Sequence, residues 1–421
     1  MTGPLTILLV GTCDTKADEI LFIKSCIEGQ GASVAIMDVG ILGKPRFTPE
    51  HSNDDVAAAA GTTIASICNL GDENLAMTRL AGGAAALTSR LYAAGKVQGM
   101  IALGGSMGTD LALDVAASLP IGVPKFVVST ISFSHLLPPD RIPADVMMIL
   151  WSGGLYGLNS ICQAILSQAA GAVVGAARAA VMPAGTRPKI GMTSLGKSCL
   201  TYMVALKPAL EARGYELVVF HSTGMGGRAF ADLAGQGAFV AVLDLCLQEV
   251  SNDLGGSVVV SGKARLEAAG LAGVPQIVAP GAADMVDFAA WSDLPPTYAG
   301  RPVHAHNRLI ASVTTSGAER RSLARLIGTK LAMATGPVKV LMPLHGIEQW
   351  DRPGQPLHDP DGLAAFASEL RSAIMAPAEL VELETHINDL AFADAVLAAL
   401  DDWVAKGIVP AGTPLTSGSN P

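Results

Sequence analysis

The chain predicts an α/β protein made of two Rossmann-like, doubly wound parallel-sheet domains. Three observations predict it. Short apolar runs such as Leu5–Val10 and Val97–Leu103 lack polar alternation and stop at glycines, which suits strands buried on both faces of a parallel sheet. Helix-like segments alternate with these runs, the rhythm of a doubly wound fold. The pattern then restarts after Met182–Pro188, a stretch of linker composition. At 421 residues the chain exceeds the roughly 250–300 residues at which single cores stop growing. The expected units are 1–182 and 189–407, with a flexible tail over 408–421.

In order, Leu5–Val10 is the first strand, and a helix from about Lys16 to Gly29 buries Ile20, Leu21, Ile23 and Ile27. Ser33–Asp38 closes a β-α-β unit whose crossover is right-handed. Pro45, Pro49 and Ser52–Asp55 mark 43–80 as irregular backbone with short helices. A helix over Ala81–Ala94, strands Val97–Leu103, Lys125–Ser129 and Met147–Trp151, and a long helix Asn159–Arg178 complete the first domain; the prolines of Leu136–Asp145 make a loop. The second domain reads as strand Lys189–Thr193, helix Leu200–Arg213 and strand Glu216–Phe220. A glycine-rich turn from His221 to Gly227 leads to a helix from Arg228 and a strand Phe239–Leu243 ending in Asp244. Strands Val274–Ala279 and Val338–Met342 and a helix Asp389–Ala405 follow.

Composition narrows the function. Half of the residues are hydrophobic and 15% are charged, so the chain is globular rather than disordered. The net charge of −9, with no Lys/Arg block, argues against a nucleic-acid surface. Ile161–Ala177, the longest apolar candidate, carries Gln163 and Gln168, and no membrane span is expected. No basic segment precedes Leu5–Val10, so the cytoplasm is the expected location. The six cysteines have no metal or disulfide spacing and read as reduced thiols, Cys13 alone lying in a site loop.

Three loops of the first domain converge where a doubly wound sheet opens its crevice: Gly11–Lys16, Gly104–Thr109 and Ser129-Thr130. Gly104, Gly105 and Gly108 let a ligand approach the backbone, Ser106 and Thr109 add hydroxyls, and a helix starts directly behind them. Lys16 suits a phosphate as a point charge, Asp14 a sugar hydroxyl or a hydrated Mg²⁺, with Thr12, Thr15, Ser129 and Thr130 around them. Helix capping by Asp14 and Thr15 is the plainer alternative.

The second domain offers two further patterns. Gly191–Ser198 formally matches the P-loop GxxxxGK[ST], but Arg187-Pro188-Lys189 stands where its strand belongs, and Lys189–Thr193 reads as the strand itself. A P-loop NTPase is therefore the weaker alternative. A polar set at strand ends contains His221, Thr223, Arg228, Asp244, Glu249, Asp284, Asp287, His304, His306 and His345. From it, Arg228 is expected to grip an anion while Glu249 or Asp284 acts as base or metal ligand.

Six segments together resemble a known family. They are Gly11-Thr12-x-Asp14-Thr15-Lys16-x-x-Glu19, Gly104-Gly105-Ser106-x-Gly108-Thr109, His221-x-Thr-Gly-x-Gly-Gly-Arg228, Arg265-Leu-Glu-Ala-Ala-Gly270, Pro280-Gly-Ala-x-Asp284-Met and His386-Ile-Asn-Asp389. In this order they resemble the Tm-one-like ATP-binding domain family. The resemblance implies two Rossmann-like subdomains, a homodimer and ATP in the first subdomain. The expectation is thus a protein that binds ATP, with Mg²⁺, and acts as an ATP-dependent enzyme on an unidentified small metabolite held by the second polar set. A nucleotide-gated interaction protein without turnover is the alternative. The metal ligands stay open.

Overall fold

The computed structural model describes residues 5–183 and 185–413. The chain divides into two compact units, Met1–Ala184 and Gly185–Pro421. In the first, strands β1 (Thr6–Gly11), β2 (Ser33–Asp38), β3 (Gly99–Gly104), β4 (Lys125–Ser129) and β5 (Met147–Leu150) form a parallel sheet in the order β2-β1-β3-β4-β5. Helices α1 (Ala17–Glu28), α2 (Asn53–Ala59), α3 (Ile64–Cys68), α4 (Glu73–Ala93), α5 (Ser106–Ala117) and α6 (Ser160–Ala179) connect or follow the strands.

Alternation along β1 assigns the two layers. Ile7 and Leu9 pack with Ile20, Ile23 and Ile27 of α1 and Val173 of α6, while Leu8 and Val10 pack with Leu80 of α4 and Leu111 and Val115 of α5. All four β1 side chains are essentially sealed from solvent, each contributing roughly 1.5–3 kcal/mol by burial. The helix expected over Ala81–Ala94 starts two turns earlier, at Glu73, because the Asp72 carboxylate caps it by accepting from Leu75 N–H at 2.9 Å. Within 43–80, α2 is nucleated by a reciprocal capping box between Ser52 and Asp55. Helix α6 is, by length and composition alone, apolar enough to cross a membrane; one of its faces, from Cys162 to Val174, lies in the core against α1.

The second unit repeats the plan. Strands β6 (Lys189–Ser194), β7 (Glu216–His221), β8 (Ala241–Cys246) and β9 (Gln276–Gly281) belong to a six-stranded parallel sheet that ends in two later strands. Between β9 and those strands the chain inserts a small antiparallel sheet of β10 (Met285–Ala289), β11 (Val303–Ala305) and β12 (Ile310–Thr314). With β13 (Val338–Pro343) and β14 (Ala378–Leu383), the large sheet runs β14-β13-β9-β8-β6-β7. Helices α7 (Thr201–Ala212), α8 (Met225–Gly235), α9 (Gln248–Leu254), α10 (Ala268–Leu271), α11 (Gly317–Leu331), α12 (Pro360–Ala373) and α13 (Leu390–Ala405) complete the unit.

Two expectations change here. Helix α8 begins at Met225, not Arg228, because the turn before it folds around a buried carboxylate described below. The start of the expected tail is docked: Val409 is buried, Tyr215 Oη donates to Pro410 O at 2.7 Å, and Thr413 N–H donates to Gly214 O at 3.0 Å. Residues 414–421 lie outside the described residues.

Candidate functional site

In the first sheet the chain leaves β1 toward β2 on one side and β3 toward β4 on the other, so the loops after β1 and β3 part at the switch point. A cleft of about 600 Å³ opens there, within the roughly 300–1,000 Å³ of small-molecule sites. Its polar wall comes from Thr12, Asp14, Thr15, Lys16, Gly104, Gly105, Ser106 and Gly108. At the start of α5 the N–H groups of Ser106, Met107 and Gly108 have no carbonyl one turn back, and Gly105 in the capping position supplies no side chain. Lys16 Nζ sits 4.7 Å from the centre of the Tyr156 ring. Val39, Ile41, Leu42, Met77 and Met107 form the apolar side of the cleft.

The two glycines after β3 differ in purpose. A Cβ on Gly104 would stand 2.6 Å from Gly108 Cα, so Gly104 is required for the strand to meet its helix. A Cβ on Gly105 meets nothing closer than Thr130 Oγ1 at 3.8 Å, so the fold does not require that glycine. Gly104→Ala is therefore expected to cost about 1–3 kcal/mol of stability by overpacking, read as a lowered melting temperature, whereas Gly105→Ala leaves the melt nearly unchanged.

Other expected contacts serve the scaffold. Asp14 Oδ2 accepts from Leu42 and Gly43 N–H at 2.8 and 3.1 Å and so fastens the wall of the cleft, while its Oδ1, beside Gly40, is buried without a hydrogen-bond partner among the described residues. Thr109 and Ser129 are fully buried and share a 2.7 Å hydroxyl–hydroxyl bond, while Ser129 Oγ also accepts from Ile131 N–H. Neither lines the cleft, nor does Thr130, whose N–H donates to Gly104 O at 3.2 Å. Cys13 is buried, and burial and the nearby Asp38 push its thiol far up, so it is no nucleophile.

In the second unit the trio Arg228, Glu249 and Asp284 does not assemble. Arg228 pairs with Asp232 one turn along α8, at 2.9 Å. Glu249 is sealed: Arg265 Nε donates to its Oε2 at 3.0 Å, and Gly224 and Gly227 N–H donate to its Oε1 at 2.5 and 3.1 Å. The glycine-rich turn at 221–227 therefore cradles the protein's own carboxylate, which occupies the start of α8; a Cβ on Gly227 would overlap it. Asp284 is buried elsewhere, beside Glu348, Asp351 and Arg320, and burial pushes it up to about 6. Among the described residues no group of three or more His, Cys, Asp or Glu side chains is arranged to hold a metal ion. The P-loop match also fails, since Gly191–Ser194 is strand and α7 starts only at Thr201.

Two family models of the Uncharacterised protein family (UPF0261) match the chain, the N-terminal domain over residues 5–182 and the C-terminal domain over 187–404. The chain belongs to the UPF0261 family. A UPF0261 protein of Brucella melitensis is 56% identical over 98% of each chain. One from Clostridium tetani is 34% identical, over 95% of this chain and 99% of that protein. The ToMV resistance protein Tm-1(GCR237) of Solanum lycopersicum is 30% identical over 93% of this chain, which spans 55% of that protein.

The residues missed by sequence reasoning are those of the apolar wall and the cleft rim: Val39, Ile41 and Leu42 after β2, Glu73 and Met77 of α4, and Tyr156. Val39-Gly-Ile-Leu follows the end of a buried strand, and that position, beside the switch point, was the available signal.

Proposed function

We propose that the first unit of this UPF0261 protein binds a nucleotide, ATP, in the switch-point cleft. The supporting observation is the start of α5 behind Gly105, whose first-turn N–H groups no side chain caps among the described residues, in the lining of a cleft that also holds Lys16 and a set of apolar side chains. A helix start of this kind suits phosphate; Val39, Ile41, Met77 and Met107 suit a base. The residues fit the nucleotide better than a protein-bound metal. Asp14 Oδ2 is engaged by Leu42 and Gly43 N–H while its Oδ1 has no hydrogen-bond partner among the described residues. No set of three or more metal-binding side chains stands among the described residues, so Mg²⁺ would arrive on the phosphates.

Mg-ATP is expected to raise the melting temperature of the full chain, by about 2.7 kcal/mol of stabilisation at a hundredfold excess over Kd. Gly105→Val should fold, losing at most about 1 kcal/mol through a poorer helix cap, and should lose the ATP shift because its side chain fills the phosphate position. A wild type without a shift in millimolar Mg-ATP sinks this reading. Sustained ADP release with a small metabolite distinguishes an ATP-dependent enzyme from a nucleotide-gated binding protein. A homodimer, carried from the family resemblance, is read by light scattering with and without Mg-ATP; a cytoplasmic location is read by fractionation.

A further inference from the structure

A second cavity, of about 120 Å³, lies at the matching switch point of the second sheet, between the ends of β6 and β8. Gly196, Lys197 and Ser198 come from the loop after β6, His221 and Thr223 from the end of β7, and Gln248 from the start of α9. The antiparallel insert adds Asp287, His304, His306 and Ser312, and Trp350 completes the wall. Lys197, the lysine of the failed P-loop match, stands exposed at the rim.

One wall of this cavity holds an unanswered acceptor. Gln248 is 1% exposed and its Nε2 donates to Asp287 Oδ1 at 2.8 Å. That bond fixes the amide, because a carboxylate oxygen can only accept from it. Gln248 Oε1 is then left buried without a hydrogen-bond partner among the described residues, a state that calls for a donor from a ligand or a water. Asp287 is held beside it by Ser312 Oγ at 2.5 Å and Asn252 Oδ1, which accepts from Asp287 N–H at 2.7 Å.

The lining also carries three imidazoles, each able to donate from one ring nitrogen. The His304 ring stacks on Trp350 with centroids 3.9 Å apart, and His306 lies 6.3 Å from His304. Burial lowers the affinity of His221 and His304 for a proton, and His306 adds to both shifts. Near neutral pH the His221 and His304 rings are therefore neutral, and Lys197 is the lysine among the lining residues. An engineered cavity of about 150 Å³ holds benzene, so this one holds a molecule of three or four carbons.

We propose that this cavity binds a short-chain hydroxycarboxylate, its carboxylate toward Lys197 and the imidazoles and a hydroxyl donating to Gln248 Oε1. The site is independent of the nucleotide reading, since it uses no residue of the first unit.

Saturation-transfer NMR titration of the full-length protein with glycerate, propionate and glycerol tests it. Glycerate should saturate below about 20 mM, as a Kd near 1 mM requires. Propionate, lacking the hydroxyl, and glycerol, lacking the carboxylate, should each bind at least about tenfold more weakly, or about 1.4 kcal/mol. Lys197→Ala, at an exposed position, should fold and weaken glycerate at least as much while leaving the Mg-ATP shift intact. Gln248→Leu should bring glycerate and propionate to similar affinity. The proposal is overturned if glycerate does not saturate, if propionate binds equally well to the wild type, or if Lys197→Ala leaves glycerate affinity unchanged. The last two outcomes do not depend on Gln248→Leu folding.

Discussion

Arg265→Ala is expected to destabilise the second unit by about 3–5 kcal/mol, the cost of leaving buried charge without its partner. Arg265 is 2% exposed and lies between Asp244 and Glu249, which are 1% and 0% exposed. Both terminal nitrogens of its guanidinium donate to the two oxygens of Asp244, one of them at 2.7 Å, and one reaches Cys246 O at 2.8 Å. The Phe230 ring covers it with its centroid at 5.3 Å. Burial raises the Glu249 carboxyl even though Arg265 and two backbone N–H groups pull it down, so removing the cation leaves only those two N–H groups against the desolvation of Glu249. Through Glu249 the same cluster fixes the start of α8, and through Asp244 it accepts Thr193 Oγ1 at 2.9 Å. A domain of this size loses roughly 2–4 °C per kcal/mol, so its melting transition should fall by about 6–20 °C. Arg265→Lys should recover only part of this, because an ammonium cannot bridge two carboxylates in a planar fork. A fall of less than about 2 °C in Arg265→Ala would show that Asp244 and Glu249 are solvated or protonated in the native state.

That cluster also shows what a sequence reveals and what it hides. The first sheet and its cleft are legible because every central strand is a continuous apolar run ended by glycine or serine, and the order of such strands dictates where loops part. The antiparallel insert is not. Val303–Ala305 is three residues with two exposed side chains, and β12 is mostly half-buried, so neither leaves an apolar run. Helix α11 carries a complete Ser316/Glu319 capping box that was available in the sequence, but its three arginines mask the apolar stripe of Leu323, Ile327 and Leu331. The assignment of Glu249 to a site failed for a different reason. A carboxylate near a glycine-rich turn looks the same whether it awaits a ligand or already fills the anion position itself, and only the fold brings Arg265, 16 residues on, to its other side. Lys197 shows the converse: its motif was wrong, yet the loop that carries it does border a cavity.

Glu348→Gln is expected to flatten the dependence of stability on pH above about 5 and to make the variant more stable than the wild type at pH 9. Glu348 is 0% exposed; its Oε2 accepts from Trp350 N–H at 2.7 Å, and its Oε1 has no partner among the described residues. Asp284 Oδ1 is likewise unpartnered, and the nearby Arg320 is turned to Asp359 at 3.1 Å and to Thr315 Oγ1 at 3.3 Å. His386 brings no charge. Its Nδ1 accepts from Asn388 N–H at 3.0 Å, so Nε2 carries the proton it shares with Asp351 Oδ1 and Glu348 O. Burial first, and the neighbouring Asp284 second, push Glu348 up from 4.5 to about 9. A carboxyl raised in the folded state contributes stability that is full below its unfolded value and is lost as pH rises through its folded one. The window therefore runs from about pH 4.5 to about 9, with a slope of about 1.4 kcal/mol per pH unit where the native state holds one more proton. Asp284 adds a narrower window from 3.8 to about 6. Glutamine keeps the shape and the Trp350 contact but has no proton to lose. Urea melts of both proteins between pH 5 and 9 read the difference directly: the two stabilities should nearly coincide at pH 5 and diverge steadily above it. Parallel curves across that range would mean that Glu348 is already ionised in the native protein, with a cation or water that offsets its burial.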